Sequence, residues 1–426
     1  MVVKRETATA RGVAYLDEHR KLDALKLIVG NKNQIKACEY NARQLIGVDP
    51  CCADLHFDEF LYRVRMGERD WADHDDRVVL CALQVTHNVP TFTLGQVRNA
   101  VMVIAHERKR DSLSDYVASL PVWDGTSRIE HAFSDAWGAP DTPLGRAASR
   151  NFFIALLARA LRPGAQVDTL WAFEGKQGTR KSASLRALGR GFHAEISAPA
   201  GSADFLRELR GIWIAEMSEL DSLRGREATT IKRLLSAPVD RYVEKYEKHA
   251  VAYPRRAVSV ATTNEAAYWQ DWTGARRLVP VTTGDINIAM IEENREQWFA
   301  EARAQLAQGA TWWGFPIEIE AAQEERQQID PWEDLLRAFM ANGRSVTHGY
   351  DAATKQPLIE KVSWPDGWIA SAAIMRDWLK LVPHQQGASA GVRLGRVMRR
   401  LGFGPQRHGK SRERGWVVDT QEGCNG

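Results

Sequence analysis

The sequence predicts an α/β fold. A P-loop core is flanked by a mainly helical N-terminal domain and a basic, winged-helix-like C-terminal domain. Three observations carry the core. An apolar run, Thr169 to Phe173, leads through a glycine-containing turn to Lys181-Ser182, which opens a helical segment, Ala183 to Leu188. A second apolar run, Ile212 to Ala215, delivers Glu216 at its end. A third begins at Ala257 and ends in Thr262, Thr263 and Asn264. Short apolar strands alternating with helical segments fit a parallel sheet. The domain limits read as 1–110, 111–316 and 317–426.

A chain of 426 residues has room for two or three domains and a sizeable core. Its 44% apolar and 26% charged content is that of a globular protein, and a net charge of +3 is too small to imply a nucleic-acid partner by itself. Most of the fifteen tryptophans read as core packing. The five cysteines are odd in number, and their spacing fits no zinc motif, so a reduced, cytoplasmic protein is expected. No apolar stretch is long enough to span a membrane, and Met-Val-Val-Lys-Arg-Glu does not open a signal peptide.

Residues 1–50 carry helical patterning, and Cys51 to Tyr62 reads as strand or loop. Asp73-His74-Asp75-Asp76 reads as a solvated helix start, since acids favour a first turn; with His56 and Asp58 it is also a candidate metal cluster. Val78 to His106 reads as helix, turn, helix, with Thr91 or Thr93 as cap. Pro121 and Asp124-Gly125 end a short helix, and Leu144 to Leu161 forms a long one before Arg162-Pro-Gly164 breaks it.

The turn Gly175-Lys-Gln-Gly178-Thr179-Arg180 then leads into Lys181-Ser182. Backbone N–H groups of such a loop and of the first helical turn wrap an anion, and the helix dipole favours negative charge there. Lys181 would reach the β- and γ-phosphates of ATP, and the Ser182 hydroxyl would ligate Mg2+. Arg180 stands where this pattern has glycine, so it either adds a phosphate contact or weakens the loop. An acid at a strand end, Glu216, with Glu219 a turn later, can hold Mg2+ or polarise water; Glu216 and Ser182 are the candidate metal ligands.

Thr229 to Leu235 reads as a helix ended by Pro238. Asp240 to Tyr253 alternates like a hairpin with Lys245, Lys248 and His249 near its tip, suited either to phosphates or to guarding an exposed edge. Asn264 stands at a strand tip where it can sense a γ-phosphate, and Arg276 and Arg277 precede another strand. Helices around Trp298 and Leu306 close the core, and Glu318 to Gln328 is a polar helix or linker. The tail then reads as helix, strand near Trp368-Ile369, helix, helix (Val392 to Leu401) and strand (Gly415 to Val418). Arg393, Arg396, Arg399 and Arg400 cluster there, the electrostatic footprint of a DNA-binding surface or a solvated basic face.

The ordered set resembles the virulence-associated E family of phages, prophages and phage satellites, which is similar to superfamily 3 helicases of the AAA+ class. The resemblance rests on Leu234-Leu-Ser-Ala-Pro-Val-Asp-Arg-Tyr242, Pro254-Arg-Arg256, Thr262-Thr-Asn264, Thr273-Gly-Ala-Arg-Arg277 and Tyr116 to Arg128, and covers roughly 110–285. It implies an ATP-dependent DNA helicase or translocase, homo-hexameric, with Lys181 and Ser182 as Walker A. Glu216 and Glu219 would be the Walker B-type acids and Asn264 the sensor. Arg276 or Arg277 would be supplied to a neighbour's ATP, and Lys248-His249 would track single-stranded DNA in a central channel. No clear primase motif is present upstream. Two other readings stay open: a nucleotide-switched origin-binding regulator, and a metal-dependent nuclease built on His56, Asp58 and the Asp73–Asp76 cluster.

Overall fold

The computed structural model describes residues 25–31, 34–87, 89–218, 233–243, 249–265, 277–326, 330–350, 357–365, 367–408 and 413–418. The chain divides into two compact units, 1–327 and 328–426.

The first unit opens with α1 (Glu39–Val48), a three-stranded antiparallel sheet and two helices. The strands are β1 (Leu55–Asp58), β2 (Arg63–Met66) and β3 (Arg69–Asp70), and the helices are α2 (Asp73–Thr86) and α3 (Leu94–Glu107). The small sheet lies in the part expected to be mainly helical. Thr93 starts α3 through a reciprocal capping box with Gln96. Leu45, Ile46, Leu83, Val97 and Ile104 form this part's core.

Next come α4 (Ser112–Ser119), α5 (Ala132–Trp137) and α6 (Pro143–Leu161). Thr142 caps α6 and Pro143 occupies its first turn. The parallel sheet comes after them, with β4 (Leu170–Glu174), α7 (Lys181–Gly189), β5 (His193–Glu195), α8 (Ala203–Glu208) and β6 (Ile214–Ser218). A hairpin of β7 (Val239–Val243) and β8 (Ala250–Pro254) precedes β9 (Val258–Thr263) and β10 (Leu278–Thr282). All neighbours in the order β10–β4–β9–β6–β5 run parallel. Side chains alternate across β4. Trp171 and Phe173 join the core under α5, α6 and α9 (Ile288–Ala307), whereas Leu170 and Ala172 pack with Phe205 and Leu209 on the other face. Because it meets the sheet, α9 and α4, α6 is buried over most of its length.

α10 (Glu318–Glu325) also belongs to the first unit, beyond the expected boundary at 316/317. Gln323 Nε2 donates to the Leu278 carbonyl at 2.7 Å, which ties this polar helix to β10.

The second unit contains α11 (Pro331–Asn342) and an antiparallel hairpin, β11 (Arg344–Tyr350) with β12 (Pro357–Val362). Then come β13 (Ile369–Ala370), a short helix Ser371–Ala373 running into a π-turn Ile374–Trp378, α12 (Ala388–Arg400), β14 (Phe403–His408) and β15 (Glu413–Val418). The last three strands form an antiparallel sheet ordered β13–β15–β14. Leu336, Ile374, Leu394, Met398, Phe403 and Trp416 fill its core. Among the described residues, no helix is long and apolar enough to cross a membrane.

Candidate active site

In an open parallel sheet, ligands gather outside the carboxyl ends of strands, at the point where chain order reverses. Here that point is β4: the chain leaves it for the far edge, returns through β6 to β9 on one side, and finishes with β10 on the other. Thr282, Glu174 and Thr263 stand level at the ends of β10, β4 and β9.

The loop after β4 has the backbone its residues dictate. A Cβ on Gly175 would lie 2.5 Å from Thr283 Oγ1, so only glycine fits. Gly178 has φ +84°, in the left-handed region. Arg180 shares that region at φ 66° and ψ 30°, immediately before α7. Its guanidinium Nη2 donates to the Ile286 carbonyl at 3.0 Å. Thr179 Oγ1 closes the turn on the Lys176 carbonyl at 3.0 Å.

Lys181 is buried, and Nζ donates to the carbonyls of Gly175 (2.9 Å) and Lys176 (3.0 Å) and to Asn264 Oδ1 (2.9 Å). Burial pulls its ammonium below the usual lysine value. Ser182 Oγ donates to Glu216 Oε1 at 2.6 Å, Thr262 Oγ1 donates to the same oxygen at 2.8 Å, and His193 Nε2 donates to Oε2 at 2.8 Å. Glu216 has no solvent exposure. Burial alone would push its carboxyl up; the hydrogen bonds from His193, Ser182 and Thr262 outweigh it and hold the group below the ordinary carboxylate value. Glu216 lies inside β6 rather than at its end, because β6 continues to Ser218. From there the carboxylate faces the first turn of α7. The Ser182 hydroxyl beside this carboxylate is the hard-oxygen donor set that suits Mg2+.

Three strands and one loop thus converge on Lys181, Ser182, Glu216 and Asn264. The model of the virulence-associated protein E-like domain matches residues 117–330. The chain belongs to this family. Solved structures of the NrS-1 C-terminal region (residues 305–718 of that protein) in its A form without ligand are similar at 12% and 13% identity. Each has a TM-score of 0.42 and covers 85% of this chain and 96% of the other. A further apo structure of the same region reaches a TM-score of 0.36 at 13% identity, over 67% of this chain and 74% of the other. Comparison with curated proteins finds no match.

Within the virulence-associated E-like domain, other expected residues are placed less closely. Glu219, Lys245, Lys248 and Arg276 lie outside the described residues, as does most of the helix expected over 229–235. His249 is exposed just before β8, and Arg277 is half-buried just before β10. The hairpin root is held by side-chain contacts. Arg210 lies within 5.0–5.8 Å of the rings of Tyr62, Tyr242 and Tyr253, and buried Arg255 pairs with Asp240.

The sequence does not single out His193: a lone histidine on a three-residue strand carries no spacing signal. Nor does it single out Glu174, which Arg326 clamps with Nε at 3.0 Å and Nη2 at 2.6 Å.

The N-terminal acids have internal partners. Arg69 holds Asp75 through two hydrogen bonds, and Trp71 and Arg98 hold Asp76. Asp58 caps the turn at Phe60 and Leu61, and His56 faces the Asp54 carbonyl. Among the described residues, no three His, Cys, Asp or Glu side chains group to hold a metal ion.

In the second unit, Leu394, Val397 and Met398 face the core, leaving Arg393, Arg396 and Arg399 exposed on the other face of α12. Arg393 pairs with Asp330 and stacks 4.1 Å from the Trp332 ring; Arg400 pairs with Glu333.

Proposed function

We propose that the first unit is an ATP-dependent motor acting on DNA, in the replication of a phage or other mobile element. One observation supports this most: Lys181 bridges the phosphate-loop carbonyls to Asn264, while Ser182 and Glu216 meet beside it. A triphosphate in this loop would be held by backbone N–H groups at the start of α7. Lys181 would exchange carbonyl partners for phosphate oxygens, leaving Asn264 to report the change. Mg2+, when bound, would neutralise charge on the phosphates. Glu216, fixed by three donors, would orient or deprotonate the attacking water.

The AAA+ reading of the core draws support from the parallel sheet with its loop at the reversal point. The winged-helix reading of the second unit draws support from the part that follows the β11–β12 hairpin, a short strand, two helical segments and two strands that join it in one sheet. The exposed arginines of α12 are its phosphate contacts, and the hairpin with Lys245, Lys248 and His249 follows single-stranded DNA. A homo-hexamer would place Arg276 or Arg277 against a neighbour's nucleotide.

The test is ATP turnover with and without single-stranded DNA. Lys181→Ala should abolish DNA-stimulated turnover; retained turnover refutes the assignment of the loop. One observation favours a second reading, a nucleotide-switched DNA-binding regulator: Arg180 already fills the loop's glycine position and points to Ile286. Duplex binding that depends on nucleotide, without DNA-stimulated turnover, would select that reading.

A further inference from the structure

A cleft of about 550 Å³ lies at the amino-terminal edge of β4, away from the phosphate loop, with Arg162, Gln166, Asp168, Trp312 and Trp313 along its walls. That volume falls within the range of small-ligand sites, about 300–1,000 Å³. The tryptophan pair is anchored. Trp312 is buried and its Nε1 donates to the Gln166 carbonyl at 2.8 Å. Asn151 Nδ2 donates to the Gly314 carbonyl at 2.6 Å and fixes the chain just after Trp313. Trp313 meets the Trp312 ring edge-on at 4.8 Å, yet stays 62% exposed. Its indole is therefore held as a platform rather than packed away.

The rim is polar. Arg162 is exposed and has no carboxylate partner among the described residues. Gln166 Nε2 donates to Asp168 Oδ1 at 2.7 Å, which fixes an amide and a carboxylate side by side. The segment carrying Arg162 and Gln166 also touches the hairpin root. Gly164 N donates to the Arg255 carbonyl at 2.9 Å, and a Cβ on Gly164 would lie 3.3 Å from the Pro238 carbonyl.

We propose that this cleft binds an unpaired base of single-stranded nucleic acid. The base stacks on Trp313, Arg162 takes the adjoining phosphate, and Gln166 with Asp168 faces the base rim. An exposed indole beside a guanidinium is the chemistry that holds single strands without strong sequence preference. A purely apolar occupant would use neither the Arg162 guanidinium nor the Gln166–Asp168 pair at the rim. The inference rests on the DNA-acting reading of the first unit and adds a second contact next to the hairpin.

The test uses the full chain at one fixed salt concentration, with a fluorescein-labelled oligothymidylate and an abasic strand of the same length, read by anisotropy. Trp313→Ala should weaken oligothymidylate binding by about 5–150-fold and leave the abasic strand unchanged, while Trp313→Phe retains most of the affinity. Arg162→Ala should weaken both strands and lower the salt dependence. A strand carrying 5-iododeoxyuridine should cross-link to the peptide that contains Trp313. Thermal melting of each variant checks that it folds; if Trp313→Ala does not, Arg162→Ala and the cross-link decide. Unchanged oligothymidylate affinity in a folded Trp313→Ala overturns the proposal. So does loss of self-association in that variant with DNA binding intact, which makes the cleft a contact between copies. Wild-type protein that binds neither strand removes the DNA reading as well; wild-type binding with a silent Trp313→Ala removes the cleft alone.

Discussion

Replacing Glu216 separates its structural from its chemical role. Glu216→Gln keeps the shape. Its carbonyl oxygen can accept from Ser182 and Thr262, as Oε1 now does, and its amide can donate to His193 Nε2 in the other imidazole tautomer. The change in stability should stay within about 1 kcal/mol. Glu216→Ala instead strands the Thr262 hydroxyl and the His193 ring, both buried. Each unsatisfied donor costs about 1–3 kcal/mol. Relief from burying a carboxylate offsets part of that, so a loss of about 2–3 kcal/mol is expected. For a unit of 327 residues, with about 2.1 cal/mol/K of unfolding entropy per residue, that lowers the melting temperature by about 3–4 °C. Calorimetry, nucleotide-binding titration and ATP turnover read the three quantities. Glu216→Gln should melt near wild type, bind nucleotide and lose about 10²–10⁴-fold in turnover. Wild-type turnover in Glu216→Gln refutes the chemical role, and an unchanged melting temperature in Glu216→Ala refutes the structural one.

The same geometry sets other outcomes. His193→Ala should lower kcat by about 10–100-fold with little change in nucleotide affinity, because it removes one donor to a charged acceptor, and His193→Gln should recover part of it; equal kcat in all three proteins counts against a positioning role. Asp240→Ala leaves buried Arg255 without its carboxylate and should cost about 3–5 kcal/mol in denaturant unfolding; a loss below about 1 kcal/mol would show that water reaches the hairpin root. Stability should fall with acid in two stages, read as melting temperature against pH. His87, pulled below 6.5 by burial, disfavours folding as pH falls through 6.5 towards its lower folded value. Asp75, held down by Arg69, and Glu216 add stability that is complete above their ordinary values, 3.8 and 4.5, and disappears as pH falls through their lower folded values. A melting temperature flat from pH 7 to pH 3 contradicts both signs.

The parallel strands are legible in the sequence because buried strands read as continuous apolar runs: the run from Thr169 predicts β4, and the run from Ala257 predicts β9. Lys181 opens α7 where the glycine turn ends. The end of β6 is not legible, since Glu216 looks like a terminator and only burial with three donors makes an acid tolerable inside a strand. The sheet β1–β3 is hidden because its short strands β2 and β3 are polar, with Arg63 and Arg65 paired to Asp70 and Arg69 to Asp75, which reads as polar loop. β11 and β12 fall in a stretch that reads as loop, since Gly349, Asp351 and Pro357 break its apolar pattern. His193 and Arg326 act through partners 23 and 152 residues away, and such pairing leaves no local pattern.

The loop's one departure from pattern, Arg180, has a physical answer. A non-glycine residue in the left-handed region costs about 1–2 kcal/mol. Here the hydrogen bond from its guanidinium to Ile286 offsets that cost, so the loop keeps the backbone that glycine would give it. Residues at and beyond the end of β10 therefore hold the loop at both ends. Thr282 and Arg326 grip Glu174 before it, Thr283 packs on Gly175, and Ile286 receives Arg180 after it. With its backbone fixed at both ends, the Lys181 side chain is the part that an arriving anion can redirect. Its present partner Asn264 continues β9, whose Thr262 also holds Glu216. An anion that draws Lys181 away thus frees Asn264 on the same strand that positions the buried carboxylate. Lys181 and the buried carboxylate of β6 are in this way joined through the end of β9, by Asn264 on one side and Thr262 on the other.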